Sequence, residues 1–366
     1  MNEIVDFLSV VLYYASNGYP LPIAFSKAKD KKKVSGVNYD YLYELSRVLL
    51  LNYFGLKGKT NRKKVISFLT GNTKLILPSW MDEQLRYLID LDNYLKNLVK
   101  KKTQWFRVNR ILGDEDKVLK SLELQDIEFI RDNDFNYVYK ITKGNITKTK
   151  EFTENKVILQ DKASVAVVEA LRPEPGDVVL DMASSPGLKA ELIYELTQGE
   201  ISLVLTEFYM HRLSKEIRLL KELGVNPSSL NFIVQDSTSN SIVRVDKVLI
   251  DAPCSSSGTL SDDPTVLITL STKEKVNLFS RVQKAMLRET FNIRFKEGVY
   301  SVCSIFPEEG EMIVEEIKDR LVKTGLPGST GYPNFSVGNL CTRYFNFIDE
   351  TDDFFIAKFK GMDDER

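Results

Sequence analysis

The chain has 366 residues, 43% of them hydrophobic and 28% charged, with 50 Lys and Arg against 51 Asp and Glu. That length suits two or three domains at ~100–200 residues each, and no stretch approaches the ~18 uninterrupted apolar residues of a membrane span. A single histidine, His211, excludes histidine triads and paired-histidine metal sites, and three cysteines without Cys-x-x-Cys spacing exclude a cysteine zinc site and argue against a disulfide framework.

The acidic start, Met1-Asn2-Glu3-Ile4-Val5-Asp6, lacks the basic region of a secretory signal, so a cytoplasmic protein is expected. Residues 1–75 read as a helical domain of short amphipathic segments. Ile4, Phe7, Leu8, Val11 and Leu12, then Tyr41, Leu42, Leu45, Val48 and Leu49, fall near the helical period of about 3.6. Leu77-Pro78-Ser79-Trp80 breaks the pattern, and a helix carrying Leu85, Leu88, Ile89 and Leu91 follows. Trp105 to Asn109 reads as a strand, Asp114 to Leu122 as a helix, and Ile127–Ile130 and Tyr137–Ile141 as half-buried strands. Residues 76–150 thus form a small α+β unit.

Charge divides the chain. Residues 1–150 carry 26 Lys and Arg against 17 Asp and Glu, whereas residues 151–366 carry 24 against 34. The positive charge runs through Lys27 to Lys33, Lys57 to Lys64, Lys100 to Arg110 and Lys140 to Lys150. Two explanations stand: contact with a polyanion, or plain solvated faces.

From about residue 151 strands and helices alternate, which implies a mostly parallel, doubly wound sheet in an α/β domain spanning residues 151–366. Val178–Leu180 leads through a turn to a helix over Leu188–Leu196, and Ile201–Leu205 leads to a helix that ends at Gly224. Phe232–Val234, Val248–Ile250 and Val299–Val302 continue the series. Ligands of such sheets bind outside the carboxyl ends of the strands. There the first strand ends at Asp181 and turns through Ala183-Ser184-Ser185-Pro186-Gly187, small residues ahead of a helix with free N–H groups. The second ends at Glu207, a candidate for the hydroxyls of a ribose, and the third at Asp236. A nucleotide-type cofactor is the expectation.

Two further strands end in Asp251-Ala252-Pro253-Cys254-Ser255 and Ser301-Val302-Cys303-Ser304. With no histidine pair available, chemistry falls to carboxylates, lysine or thiols. Buried packing would explain either cysteine alone, but a pair on the ligand side points to catalysis. Cys341 has no such context.

From Leu77 onward the chain resembles the RNA (cytosine-5) methyltransferases of the Sun family, which use S-adenosyl-L-methionine. Gln160-Asp161-Lys162-Ala163-Ser164 matches the segment ahead of the family's cofactor loop, and Asp181 to Lys189 the loop itself. The two cysteine segments, the second followed by Pro307-Glu308-Glu309, match its two cysteine motifs, and Thr351 to Ala357 its closing strand. The resemblance implies a Rossmann-like class I methyltransferase domain preceded by a small α+β RNA-binding extension. Residues 1–75 are compatible with a NusB-like helical domain.

By the same resemblance, Cys303 adds to the cytosine and Cys254 helps to release the methylated base. Asp251 and Lys189 hold the ring. Asp181, Ala183, Ser184, Ser185, Pro186, Gly187, Lys189, Glu207, Asp236 and Asp251 form the cofactor site. Arg212 either joins that site or is a surface arginine, and His211 is expected on exposed helix surface. A nearby cation would help to activate the thiol, and Lys189 is the candidate. The alternative assignment makes Cys254 the nucleophile, as in DNA cytosine methyltransferases. The expected partner is structured RNA, transfer or ribosomal, with the target base flipped out if paired; no metal and no membrane are expected, and a monomer is. The family's loop, Cys-Ala-Ala-Pro-Gly-Gly-Lys-Thr, reads Ala183-Ser184-Ser185-Pro186-Gly187-Leu188-Lys189-Ala190 here, with Leu188 in place of a glycine, and Ser261-Asp262-Asp263 stands where the family is often basic. These departures motivate a rival reading, an inactive RNA-binding or assembly factor that retains the fold. A dinucleotide-dependent oxidoreductase would leave both cysteines without a role.

Overall fold

The computed structural model describes residues 2–361. Four helices open the chain, Asn2–Ser16, Leu21–Lys31, Tyr39–Leu51 and Asn61–Leu69. Phe7, Leu8, Val11 and Leu12 of the first are fully buried against Leu21, Ala24, Leu42, Leu49 and Val65 of the others. Each such side chain contributes about 1.5–3 kcal/mol relative to exposure. Asn38 and Thr60 begin the third and fourth helices by accepting backbone N–H groups left free in the first turn.

The apolar run through Leu91 forms two helices rather than one. Ser79–Leu88 ends at Ile89, which is extended, and Asp90 starts Leu91–Leu98 by accepting the Asn93 N–H at 3.1 Å. Both helices pack on the large domain, where the Trp80 ring lies 4.9 Å from that of Phe306.

A four-stranded antiparallel sheet follows, in the order β2-β3-β1-β4. Its strands are β1 (Trp105–Val108), β2 (Glu128–Arg131), β3 (Val138–Lys143) and β4 (Val157–Leu159). β4 lies beyond residue 150 yet pairs with β1, so the sheet reaches into the chain leading to the large domain.

The large sheet contains β5 (Val178–Asp181), β6 (Ser202–Glu207), β7 (Asn231–Val234), β8 (Lys247–Asp251), β9 (Glu297–Val302), β10 (Leu321–Val322), β11 (Ser329–Thr330), β12 (Thr342–Tyr344) and β13 (Phe354–Lys360). Its order is β11-β12-β13-β9-β8-β5-β6-β7, with β10 on β13. β7-β6-β5-β8-β9 are parallel, and β13 turns antiparallel onto β9. Alternate residues feed two cores. Val179, Leu249 and Val299 meet helices Lys162–Leu171 and Leu188–Leu196 on one face, whereas Leu180, Val248, Ile250 and Tyr300 meet Glu274–Thr290 on the other. Burial of both faces explains the near-continuous apolar runs of these strands.

Part of the basic charge serves the interior. Arg107 is 1% exposed and pairs with Glu191 and with Glu195 (3.3 Å), while its Nε donates to Gln160 at 2.7 Å. Arg110 pairs with Glu195 at 2.8 Å and Lys102 with Asp352 at 2.7 Å. Arg107 is closed to a polyanion, against the expectation from the charge runs, because its guanidinium closes the contact between β1 and helix Leu188–Leu196. Lys29, Lys31, Lys32 and Lys33 are exposed; Lys29 and Lys31 lie over the rings of Tyr39 and Tyr14.

Candidate active site

β5 is the strand from which the connections depart in both directions, toward β6 and toward β8. A crevice opens at such a reversal. There a cavity of about 560 Å³ is lined from all five parallel strands: Ala183 and Ser185 after β5, Glu207 and Arg212 after β6, Asp236 after β7, Asp251 and Cys254 after β8, and Cys303 after β9. Eight of the expected site residues therefore share one space.

Asp181 and Ser184 lie beneath it instead. Asp181, 1% exposed, accepts the Ala183 N–H at 3.1 Å and so shapes the turn. Burial, then the charge of Glu216, pushes the Asp181 carboxyl up to about 8. Pro186 is exposed on the loop, and Gly187 opens the following helix at φ +105°. A Cβ at Gly187 would be strained and would lie 3.0 Å from Glu216 Cγ, so glycine is required there. Leu188, which stands where the family loop has a glycine, is the first residue of the helix and is not among the residues lining the cavity.

Glu207 is a buried carboxylate at the cavity wall. Its Oε1 accepts the Tyr209 N–H at 3.1 Å, and its Oε2 lies 3.4 Å from Arg212 Nη1. Arg212 also donates to Ser185 O at 3.2 Å, which ties the β5 loop to the β6 helix; both of its sequence-level readings meet in one exposed side chain. Asp236 holds a turn by accepting the Thr238 N–H (2.9 Å) and hydroxyl (2.7 Å). His211 is exposed and leans on Tyr209.

The two thiols meet. Cys254 Sγ lies 2.8 Å from Cys303 Sγ, with Cys254 buried and Cys303 partly open. The hydrogen bond with Cys303, followed by burial, pushes the Cys254 thiol well up, so Cys254 keeps its proton while sharing it with its neighbour. Lys189 does not line the cavity but donates to Asp251 Oδ2 at 2.6 Å, and Ser301 donates to Oδ1 at 2.8 Å. Burial pulls the Lys189 ammonium down, yet the charges of Asp251, Asp181 and Cys303 more than offset it and leave it raised. Cys341 is buried among apolar residues, and burial pushes its thiol up.

Sequence reasoning missed several residues. Phe279, Val282 and Met286 line the cavity from helix Glu274–Thr290, at the helical spacing of ordinary core residues. Phe208 and Tyr209, both exposed, follow Glu207 at the rim; an apolar pair directly after a strand-end acid was the available signal. Glu216 is wholly buried and accepts the hydroxyls of Ser184 and Ser185 on Oε2, both at 2.9 Å. Burial pushes it up to about 7. Ser261-Asp262-Asp263, the acidic departure, docks the N-terminal helices: Leu21 N–H donates to Asp263 at 3.1 Å, and Arg47 donates to Ser261 O at 3.0 Å.

Residues 168–360 match the family described as 16S rRNA methyltransferase RsmB/F. A 28S rRNA (cytosine-C(5))-methyltransferase from Mus musculus is 31% identical over 232 residues, covering 59% of this chain and 29% of that one. The chain spans 28–39% of the length of three such eukaryotic relatives. The crystal structure of PH0851 shares the fold at a TM-score of 0.81 and 20% identity over 98% of both chains. NSun6 from Pyrococcus horikoshii, solved with SFG, shares it at 0.69 and 18% identity, over 78% of this chain and 99% of that one.

Proposed function

The chain belongs to the RsmB/F family of RNA methyltransferases, and on that premise we propose that it methylates carbon 5 of a cytosine in structured RNA, ribosomal or transfer. The observation that carries this reading is the contact of Cys254 and Cys303 at 2.8 Å on the wall of the cavity.

S-adenosyl-L-methionine fits the residues present. A buried acid at the β6 end suits a ribose, an apolar wall of Phe279, Val282 and Met286 suits a purine, and the Ala183–Gly187 turn lets backbone approach a ligand. We assign its binding to that turn with Glu207, Arg212, Asp236 and Asp251. When bound, it supplies an electrophilic methyl group.

The protein's own residues prepare the acceptor. Carbon 5 of cytosine is a weak nucleophile, and addition of a thiolate to carbon 6 makes it electron-rich, splitting a hard step in two. Cys303, the more open of the two cysteines, is the attacking group, with the Cys254 thiol 2.8 Å away. Asp251, oriented by Lys189 and Ser301, hydrogen-bonds the polar edge of the ring. After transfer, solvent water takes the carbon-5 proton, the carbon 5–carbon 6 double bond reforms, and the Cys303–carbon 6 bond breaks with its electron pair returning to sulfur. Cys254 assists that release.

Exposed Lys29, Lys31, Lys32 and Lys33 would bind the RNA backbone. A monomer in the cytoplasm belongs to the same proposal; among the described residues no helix is long and apolar enough to cross a membrane. Bisulfite sequencing of cellular RNA with and without the gene tests the reading: a cytosine that loses protection supports it, and an unchanged pattern counts against it.

A further inference from the structure

Glu309 belongs to the segment after the second cysteine, and the chemistry above gives it no part. It is wholly buried in the short turn Pro307–Glu309, with its own carbonyl held by the Tyr300 hydroxyl at 2.7 Å. Its carboxylate accepts four hydrogen bonds. Oε1 takes the Ser255 N–H at 2.7 Å and the Gln283 amide at 3.2 Å; Oε2 takes the Ser255 hydroxyl and the Ser304 hydroxyl, both at 2.6 Å. Ser255 directly follows Cys254, and Ser304 directly follows Cys303.

One carboxylate therefore joins the two loops that carry the sulfurs. Secondary contacts close the same knot. Gln283 also donates to Pro253 O at 2.9 Å, the Ser257 and Ser304 hydroxyls are 2.9 Å apart, and the Gly258 N–H donates to Cys303 O at 3.0 Å. Burying a carboxylate is costly unless its acceptor capacity is filled. Here it is filled by groups adjacent to both thiols. A structural anchor could have used either loop alone; bridging both sets their separation.

We propose that Glu309 is a positioning residue that fixes the spacing of the Cys254 and Cys303 thiols through Ser255 and Ser304. The proposal rests on reading those thiols as the reacting pair. Addition and release by two sulfurs demand registration to a fraction of an ångström, and loss of registration costs rate more than binding. In Glu309→Gln an amide nitrogen, which accepts no hydrogen bond, faces either the Ser255 N–H and the Gln283 amide or the two serine hydroxyls, so the four-bond bridge cannot stay intact.

The test combines turnover with a readout independent of methylation. Diamide takes two protons and two electrons from neighbouring thiols and leaves a disulfide, and peptide mass mapping gives the rate of the Cys254–Cys303 linkage. For Glu309→Gln we expect kcat and linkage rate each to fall about tenfold or more, with melting temperature and S-adenosylmethionine affinity nearly unchanged. Retention of either rate overturns the proposal, as does a parallel loss of melting temperature and cofactor affinity, which marks a merely structural role. Should Glu309→Gln fail to fold, Ser255→Ala combined with Ser304→Ala is read by the same criteria. A slowed linkage in the variant, beside a wild type that transfers no methyl group, supports the spacing role and overturns the proposed function instead.

Discussion

Lys189 Nζ lies 2.6 Å from Asp251 Oδ2, joining the first turn of the helix after the β5 loop to the end of β8 across the switch in strand order. The pair links the cofactor loop to the strand that leads to the first cysteine. Asp251 has its second oxygen on Ser301, two residues before Cys303, so one carboxylate touches the supports of both halves of the site.

Asp251→Ala is expected to lower kcat by about a hundredfold or more, on the scale of losing one oriented hydrogen-bonding group at a reacting centre. The same change leaves the half-buried Lys189 without its partner, so melting temperature falls as well. Single-turnover methyl transfer at saturating cofactor separates the two effects: the rate deficit persists at temperatures where the variant is fully folded.

Glu216 makes stability depend on pH with a definite sign. Its folded carboxyl is pushed by burial from an ordinary 4.5 up to about 7, so the folded state holds a proton that the unfolded state has released. Stability therefore falls as pH rises from about 4.5 to about 7 and is flat beyond in this group's contribution. Asp181, raised to about 8, adds a decline in the same direction. Glu216→Gln should shrink the drop in urea midpoint between about pH 5 and pH 8. An unchanged profile would contradict the assignment.

Charge runs in the first 150 residues divide into a buried part and an exposed part. Arg107→Ala strands Glu191 in the interior, while Glu195 keeps Arg110, and is expected to cost about 3–5 kcal/mol, measured by chemical denaturation. Replacing exposed Lys29, Lys31 and Lys32 with Ser should leave stability within about 0.5 kcal/mol. It should also reduce the slope of log affinity against log salt for RNA by about 0.7–0.9 for each phosphate that is no longer neutralised. If these lysines leave the slope unchanged, the RNA path runs elsewhere.

Much of this was legible in the sequence because it is local or periodic. The five parallel strands and their carboxyl ends follow from apolar runs that stop at Asp181, Glu207, Asp236 and the two cysteine segments. What was hidden depends on distant pairing. Nothing near Arg107 in the chain announces that it will be buried against a helix more than eighty residues on. Glu216 sits on a helix of alternating charge and reads as surface until Ser184 and Ser185 are folded over it. The break at Asp90 escaped notice because Leu85, Leu88 and Leu91 sustain a helical period across it, while the Asp90 side chain starts a new helix. The short strands β4, β10, β11 and β12, of two or three residues each, are too brief to leave a pattern.

The roles assigned to the two thiols separate most directly in a covalent-trapping assay. Wild type, Cys254→Ala and Cys303→Ala are each mixed with substrate RNA and S-adenosylmethionine, denatured, and run on a gel with labelled RNA. The account predicts a denaturation-resistant protein–RNA band in Cys254→Ala, which attacks but cannot release, and neither band nor methyl transfer in Cys303→Ala. A band in Cys303→Ala, or full turnover by that variant, would contradict it.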